Sequence, residues 1–429
     1  MLRVSMLLGG LVVSSWGLAD ARGLAEIYQR ALAEDPALQA QVATLDRAKA
    51  LQRQTQGGDG WSASGRLAGT QANNLATDAN TRTGALTVTV SRPIYDPELD
   101  AAIRGQDAST RASEASFTTY LQGHIVTVAS AYFAVKSAEQ DLLAATARVE
   151  AVSRQLDQAT ERLNVGIGTR VDVDQARASL DLARVALISS EVALDTARVD
   201  LGRLLAEEPG PLKGLAPEFV ADMHRSVPTD VMALVDSHPA VVAKQESLAA
   251  AFADLDEAKA VDGPDVSVSS VFSLSDTWGS SSATATTRSN ALSLTLNAPI
   301  WSNGVNAARI EVAMAAVDSA RASLESETRK ARRDIEVAIQ ELRASSRTVD
   351  ARLLSIRSAA SRVEATEAAY SVGSGDIVEV LNAKESLIAA ERDYTKARHA
   401  HVLNQLRLDQ AMGDLSESRL VELESVLIP

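Results

Sequence analysis

The chain has 429 residues, 46% hydrophobic but only 3% aromatic, a formal net charge of −14 and no cysteine. Such acidity excludes a nucleic-acid partner held by phosphate neutralisation, and the missing cysteine excludes disulfides, thiolate metal sites and an acylated N-terminal cysteine. Few rings and much alanine suit long, closely packed helices better than a bulky core.

The N-terminus reads as a signal peptide over residues 1–21. Arg3 gives the positive start, Val4 to Leu18 the apolar stretch, and Ala19, Asp20 and Ala21 a small-residue cleavage site. The apolar stretch is short for a membrane helix, and no later segment reaches about 18 consecutive apolar residues. An exported chain of this kind enters a membrane only through strands.

Residues 22–227 form the first of two copies of one unit. A helix is expected over about Leu24 to Thr55, then a β-hairpin over about 61–92. In "WSASGRLAG", Trp61, Ala63, Gly65 and Leu67 share one face, and in "ALTVTVS" Leu86, Val88 and Val90 alternate with Thr87, Thr89 and Ser91. Period two over about ten residues between polar loops is the pattern of outer-membrane strands. No proline occurs from Glu98 to Glu208, a tract that reads as helix. Its break is "VGIG": Gly166 and Gly168 mark a reversal over 165–171, since glycine admits the positive φ of a tight turn. A return helix over Asp172 to Ala206 and an equatorial segment, 207–227, complete the copy.

Residues 228–429 repeat the plan with a helix, a hairpin over about 265–298, a second proline-free tract from Ile300 to Ile428, a reversal at 372–376 and a return helix. "LNVGIGTRVDVDQARASL" (Leu163 to Leu180) and "YSVGSGDIVEVLNAKESL" (Tyr370 to Leu387) agree at eight of eighteen positions, with Gly373 and Gly375 matching the first glycine pair. Sevenfold spacing runs through Leu121, Val128, Val135, Leu142, Val149, Leu156 and Leu163, and again through Ile335, Leu342, Val349, Ile356, Val363 and Tyr370. Sustained sevens imply supercoiled helices, although an ordinary bundle would also satisfy them. Each long helix would span about 100 Å, and the two shorter helices of a copy, end to end, about the same.

Trp61, Tyr95, Trp278 and Trp301 sit at strand ends, as an interfacial aromatic girdle would. A soluble hairpin with an aromatic end is the plainer alternative. Four strands cannot close a barrel, and lipid does not tolerate open edges. Strands that span a membrane here need other copies, and three copies give twelve.

The two "VGxG…(D/E)V…A…L" reversals, the corners "SRPIYD" and "NAPIWS", and the closing "LNQLRLDQAMGDLSESRLVEL" together resemble the TolC family of outer-membrane efflux and secretion channels over essentially the whole mature chain. The resemblance implies a mainly α fold with a β-barrel portion: a homotrimer whose twelve-stranded transmembrane β-barrel continues into a long coiled-coil α-helical barrel in the periplasm. It implies an equatorial collar from Pro209 to Pro228 and the C-terminal end. It also implies a periplasmic adaptor (membrane fusion) protein and an inner-membrane ABC exporter or proton-driven pump as partners, with the four glycines at the docking tip. By position, Tyr370 matches a gating tyrosine, Glu379 an acidic pore ring and Asp172 an acidic partner on the first hairpin. Gly375 and Asn382 stand where some members carry a latch arginine and a second pore aspartate, so Arg170 or Asp376 is the candidate for a substitute contact. Thr169 to Asp172 also fits a helix capping box, a role compatible with facing the lumen.

No catalytic triad, phosphate loop or cofactor motif occurs. His399 and His401, two apart, point to different helix faces and cannot share a metal. The competing reading is a periplasmic coiled-coil adaptor without a barrel, which would leave the strands and their aromatics unexplained. Missing the acylated cysteine leans toward secretion over dedicated efflux.

Overall fold

The computed structural model describes residues 21–74, 79–216, 231–279, 282–372, 374, 377–425 and 427–428. The expected signal segment up to Asp20, part of the equatorial segment, and Gly373, Gly375 and Asp376 lie outside the described residues.

In chain order the elements are α1 (Leu24–Glu34), α2 (Pro36–Gln56), β1 (Ser62–Asn74), β2 (Ala79–Tyr95), α3 (Pro97–Asn164), α4 (Arg170–Leu205), β3 (Gly214–Leu215), α5 (Val231–Ser237), α6 (Pro239–Ala260), β4 (Asp265–Gly279), β5 (Ser282–Asn297), α7 (Val305–Ser371), α8 (Ile377–Ala411), α9 (Glu417–Glu424) and β6 (Leu427–Ile428). The single helix expected over Leu24 to Thr55 is two. Pro36 disfavours helical backbone at Asp35, which adopts φ −70°, ψ 112° and caps α2 by accepting the Ala37 N–H at 2.9 Å. The second copy does the same at His238-Pro239, where the imidazole Nδ1 accepts from the Ala240 N–H at 3.2 Å.

The long helices organise everything else. The N-terminal half of α3 packs on α2 and α6, through Lys49–Glu114 (3.1 Å) and Arg111–Glu246 (2.8 Å), and its C-terminal half packs on α4 and α8. The other long helix, α7, packs on α6 and α8. The short helices meet end to end. Glu207, just beyond α4, binds Arg22 just before α1 and Arg30 within it, and Gly413, just beyond α8, abuts Pro239 at the start of α6. At 68 residues, α3 is about 100 Å long. The result is a wall one helix thick.

Such a wall buries most where extra elements cover it. That place is the equator, where Leu24, Ile27, Val128, Tyr132, Leu201, Leu406 and Leu420 are fully buried together. β3 pairs antiparallel with β6, so the equatorial segment and the chain's end close on each other, and α9 lies against α1. The Tyr132 hydroxyl donates to the Lys213 carbonyl at 2.7 Å, and burial, with nearby Glu424 and Glu139, pushes its pKa up. Along α3 the heptad positions lose cover away from the equator: Val128 and Val135 are buried in it, Leu142 and Val149 are partly buried, and Leu163 is exposed.

Candidate functional site

Two regions carry functional geometry, the strand sheet and the opposite end of the helical hairpins. The four long strands form one antiparallel sheet in the order β1-β2-β4-β5, so the central pair, β2 with β4, joins the two copies. Its register puts Leu67, Leu86 and Leu274 in one row and Val88 beside Phe272 in the next. With Leu292, Leu294 and Leu296, exposed at 79%, 73% and 67%, these define an apolar outer face. The other face is a carpet of hydroxyls: Ser62 beside Ser91 and Ser269, and Thr87 beside Ser273 and Ser289. Apolar outside and hydroxylated inside is the inverse of a soluble core. β1 and β5 each have a single partner and leave their outer edges open.

The aromatics fall at two levels. Trp61 directly precedes β1, Tyr95 ends β2, and Trp301 follows β5, all at the helix end of the sheet; Trp278 is at the far end of β4. All four are exposed. Twelve residues of β4 separate Val266, the partner of Tyr95, from Trp278. At about 3.3 Å per residue and a tilt of about 40°, that is about 30 Å along the barrel axis, the thickness of a hydrocarbon core.

At the other end, the first reversal is built as its residues require. Gly166 has φ +81°, and Gly168 brings its backbone against the end of α3, donating its N–H to the Arg162 carbonyl at 2.9 Å. A Cβ on Gly168 would stand 2.9 Å from the Leu163 nitrogen. α4 then starts at Arg170, two residues before the expected start at Asp172. Thr169 and Asp172 form the reciprocal capping box at 3.0 and 3.2 Å. The hydrogen bonds from the Thr169 hydroxyl and N–H, and then the Arg162 charge, hold the Asp172 carboxyl below its ordinary range.

Among the described residues, the second reversal shares a hydrogen bond with the first. Ser374 donates to the Ala369 carbonyl at 2.9 Å, as Ile167 does to Arg162. Tyr370 is about half exposed in the last turn of α7, and Glu379 is exposed in the first turn of α8. The two tips lie side by side, because Val378 of α8 lines a cleft of about 310 Å³ with Arg162, Gly168, Asp172 and Gln175. Arg162 is the cation whose charge acts on Asp172.

Interhelical charge pairs went unread in the sequence. Arg148 meets Glu385 at 2.9 Å and Asp141 meets Lys396 at 2.6 Å, fastening α8 to α3; Lys384 meets Glu367 at 2.7 Å and Arg352 meets Asp393 at 3.2 Å, fastening it to α7. Their signal was available: Asp141 and Arg148 each immediately precede a heptad position. The two neighbouring histidines of α8 point apart as expected. His399 Nδ1 lies 3.0 Å from the Ser137 hydroxyl on α3, and His401 Nδ1 lies 3.0 Å from the Ser345 hydroxyl on α7.

A family model described as "Outer membrane efflux protein" matches residues 27–207 and 232–414, one stretch in each copy. The chain belongs to the outer membrane efflux protein family. Among relatives of this family, the chain is 28% identical to the outer membrane protein TolC of Escherichia coli (strain K12), over 97% of this chain and 88% of that one. It is 23% identical to the alkaline protease secretion protein AprF of Pseudomonas aeruginosa, over 94% and 86%. The crystal structure of the Campylobacter jejuni CmeC outer membrane channel shares the fold, with a TM-score of 0.79 at 15% identity over 96% of this chain and 93% of that one. Family membership places the protein in the outer membrane and identifies the four strands as part of a β-barrel, so the barrel-less adaptor reading is set aside.

Proposed function

We propose that three copies of the chain assemble into the exit duct of a tripartite export system, a passive conduit whose gate lies at the periplasmic helical tip. The observation that carries this is the sheet: four strands, apolar outside and hydroxylated inside, with both edges open. Joining β5 of one copy to β1 of the next, three times, satisfies every edge and gives twelve strands around a hydroxyl-lined lumen. The helical walls continue that lumen for about 100 Å. The energy for transport comes from an inner-membrane ABC exporter or proton-driven pump, reached through a periplasmic adaptor docked at the reversals marked by Gly166, Gly168, Gly373 and Gly375. Tyr370, Glu379, Asp172 and Arg170 stand at that tip, which Asp376 adjoins in sequence, and Glu379, repeated three times about the axis, forms an acidic ring. The relative named for alkaline protease secretion and the efflux description of the family support cargo of both kinds, protein and small molecule.

Purified mature protein in detergent should run as a heat-modifiable trimer and conduct ions in planar bilayers. A water-soluble monomer that needs no detergent would sink the proposal.

A further inference from the structure

The far end of the sheet's outer face carries charge that the conduit does not use. Arg288 stands in the row of Leu67, Leu86 and Leu274; the next row outward is Gly69, Gly84, Asp276 and Thr286; the row beyond pairs Arg82 with Trp278. All share the face of Val88, Phe272 and Leu294, which places them on the lipid side. Arg82 and Arg288 are exposed, and neither makes an ion pair among the described residues. Asp276, between them, is the one acid on this face among the described strand residues, so each protomer keeps one net positive charge here on a chain of net −14. The Trp278 ring folds back over Gly84, where an added Cβ would meet the ring at 3.4 Å. Gly84 thus leaves room for a flat indole along the barrel wall.

Unpartnered arginines at the boundary of a hydrocarbon layer extend their charge toward the headgroups. With Arg82 at the level of the outer aromatic and Arg288 about 13 Å of strand behind Trp278's partner row, the long Arg288 side chain reaches up toward the same level. Guanidinium forks match phosphate oxygens in two-point hydrogen bonds, and the indole offers an apolar shelf beside them. A free anion would gain nothing from the leucine rows below; a lipid uses both.

We propose that Arg82, Arg288 and Trp278 form, on each protomer, a seat for the phosphate-bearing headgroup of a lipid in the outward-facing leaflet. The proposal rests on the outer-membrane conduit reading for the orientation of this face.

The full-length trimer, incubated in mixed micelles with a diphosphorylated lipid A-type glycolipid and washed in neutral detergent, should retain the glycolipid. The Arg82→Gln/Arg288→Gln double variant should bind it at least about tenfold more weakly, since two charge-assisted bonds are lost, and Arg82→Lys/Arg288→Lys should recover part of the loss. Heat-modifiability and conductance should stay at the wild-type level in both variants. Equal retention by wild type and the Gln variant would overturn the seat. Displacement of the glycolipid by millimolar inorganic phosphate would overturn the lipid source. A wild-type protein that neither trimerises nor conducts would instead strike the conduit reading.

Discussion

The imidazole Nδ1 of His399 lies 3.0 Å from the hydroxyl of Ser137, tying the return helix α8 to the long helix α3 just below the equator. His399 is 3% exposed, tilted against Phe133, with Arg398 and Lys136 nearby. Burial first, then those two positive charges, lower its pKa from 6.5 to about 4. Between these values the unfolded chain binds the proton and the folded chain does not. The stability this gives is complete above pH 6.5 and lost as pH falls toward 4, about 3 kcal/mol per protomer. Thermal unfolding of the solubilised protein between pH 8 and 4 should show this slope, and His399→Gln should flatten it. An unchanged slope would refute the assignment.

Gly413 has φ +76°, and a Cβ there would stand 2.7 Å from Pro239 Cδ. Gly413→Ala should therefore open the joint between α8 and α6 and cost about 1–3 kcal/mol. A melting temperature equal to wild type would show that the joint tolerates the shift.

Thr169→Val removes the hydroxyl that accepts the Asp172 N–H. The cost is local, about 1 kcal/mol, and should appear as faster amide exchange over residues 170–175 with exchange at the equator unaffected. Uniform protection would mean that neighbouring contacts, not the cap, hold the start of α4.

Gly166→Val forces a β-branched residue to positive φ, and Gly168→Val drives a side chain into the backbone at Arg162 and Leu163. Both should reduce capture of the cognate adaptor by at least severalfold while trimers still form. Undiminished capture would move the docking surface away from this reversal.

Glu379→Ala removes three carboxylates from the tip of a trimer. Cation preference and block by multivalent cations should both fall in planar bilayers. Wild-type selectivity in this variant would remove Glu379 from the pore.

The periodic elements were readable because their causes are local. Period two in "ALTVTVS", sevens from Leu121 to Leu163, and the prolines around them each follow from one residue's demands on its neighbours. The break at Asp35 was also local, in Pro36, but a helical pattern running through it hid the proline's effect. What stayed illegible depends on which helix lies next to which. The partnership of Arg148 with Glu385, and of Arg162 with Asp172, emerges only when α3, α4 and α8 are set side by side. The far-end arginines were hidden differently: Arg82 and Arg288 are ordinary surface residues until register shows that they share the face of Leu86, Val88 and Phe272.

Leu215 pairs with Leu427, so the belt around the molecule's waist is buckled by two segments 212 residues apart in the chain. Until those segments meet, the shelter shared by Leu24, Tyr132 and Leu420 is incomplete, however well the earlier helices have formed. A chain in which that pair cannot form would be left unfastened at its waist.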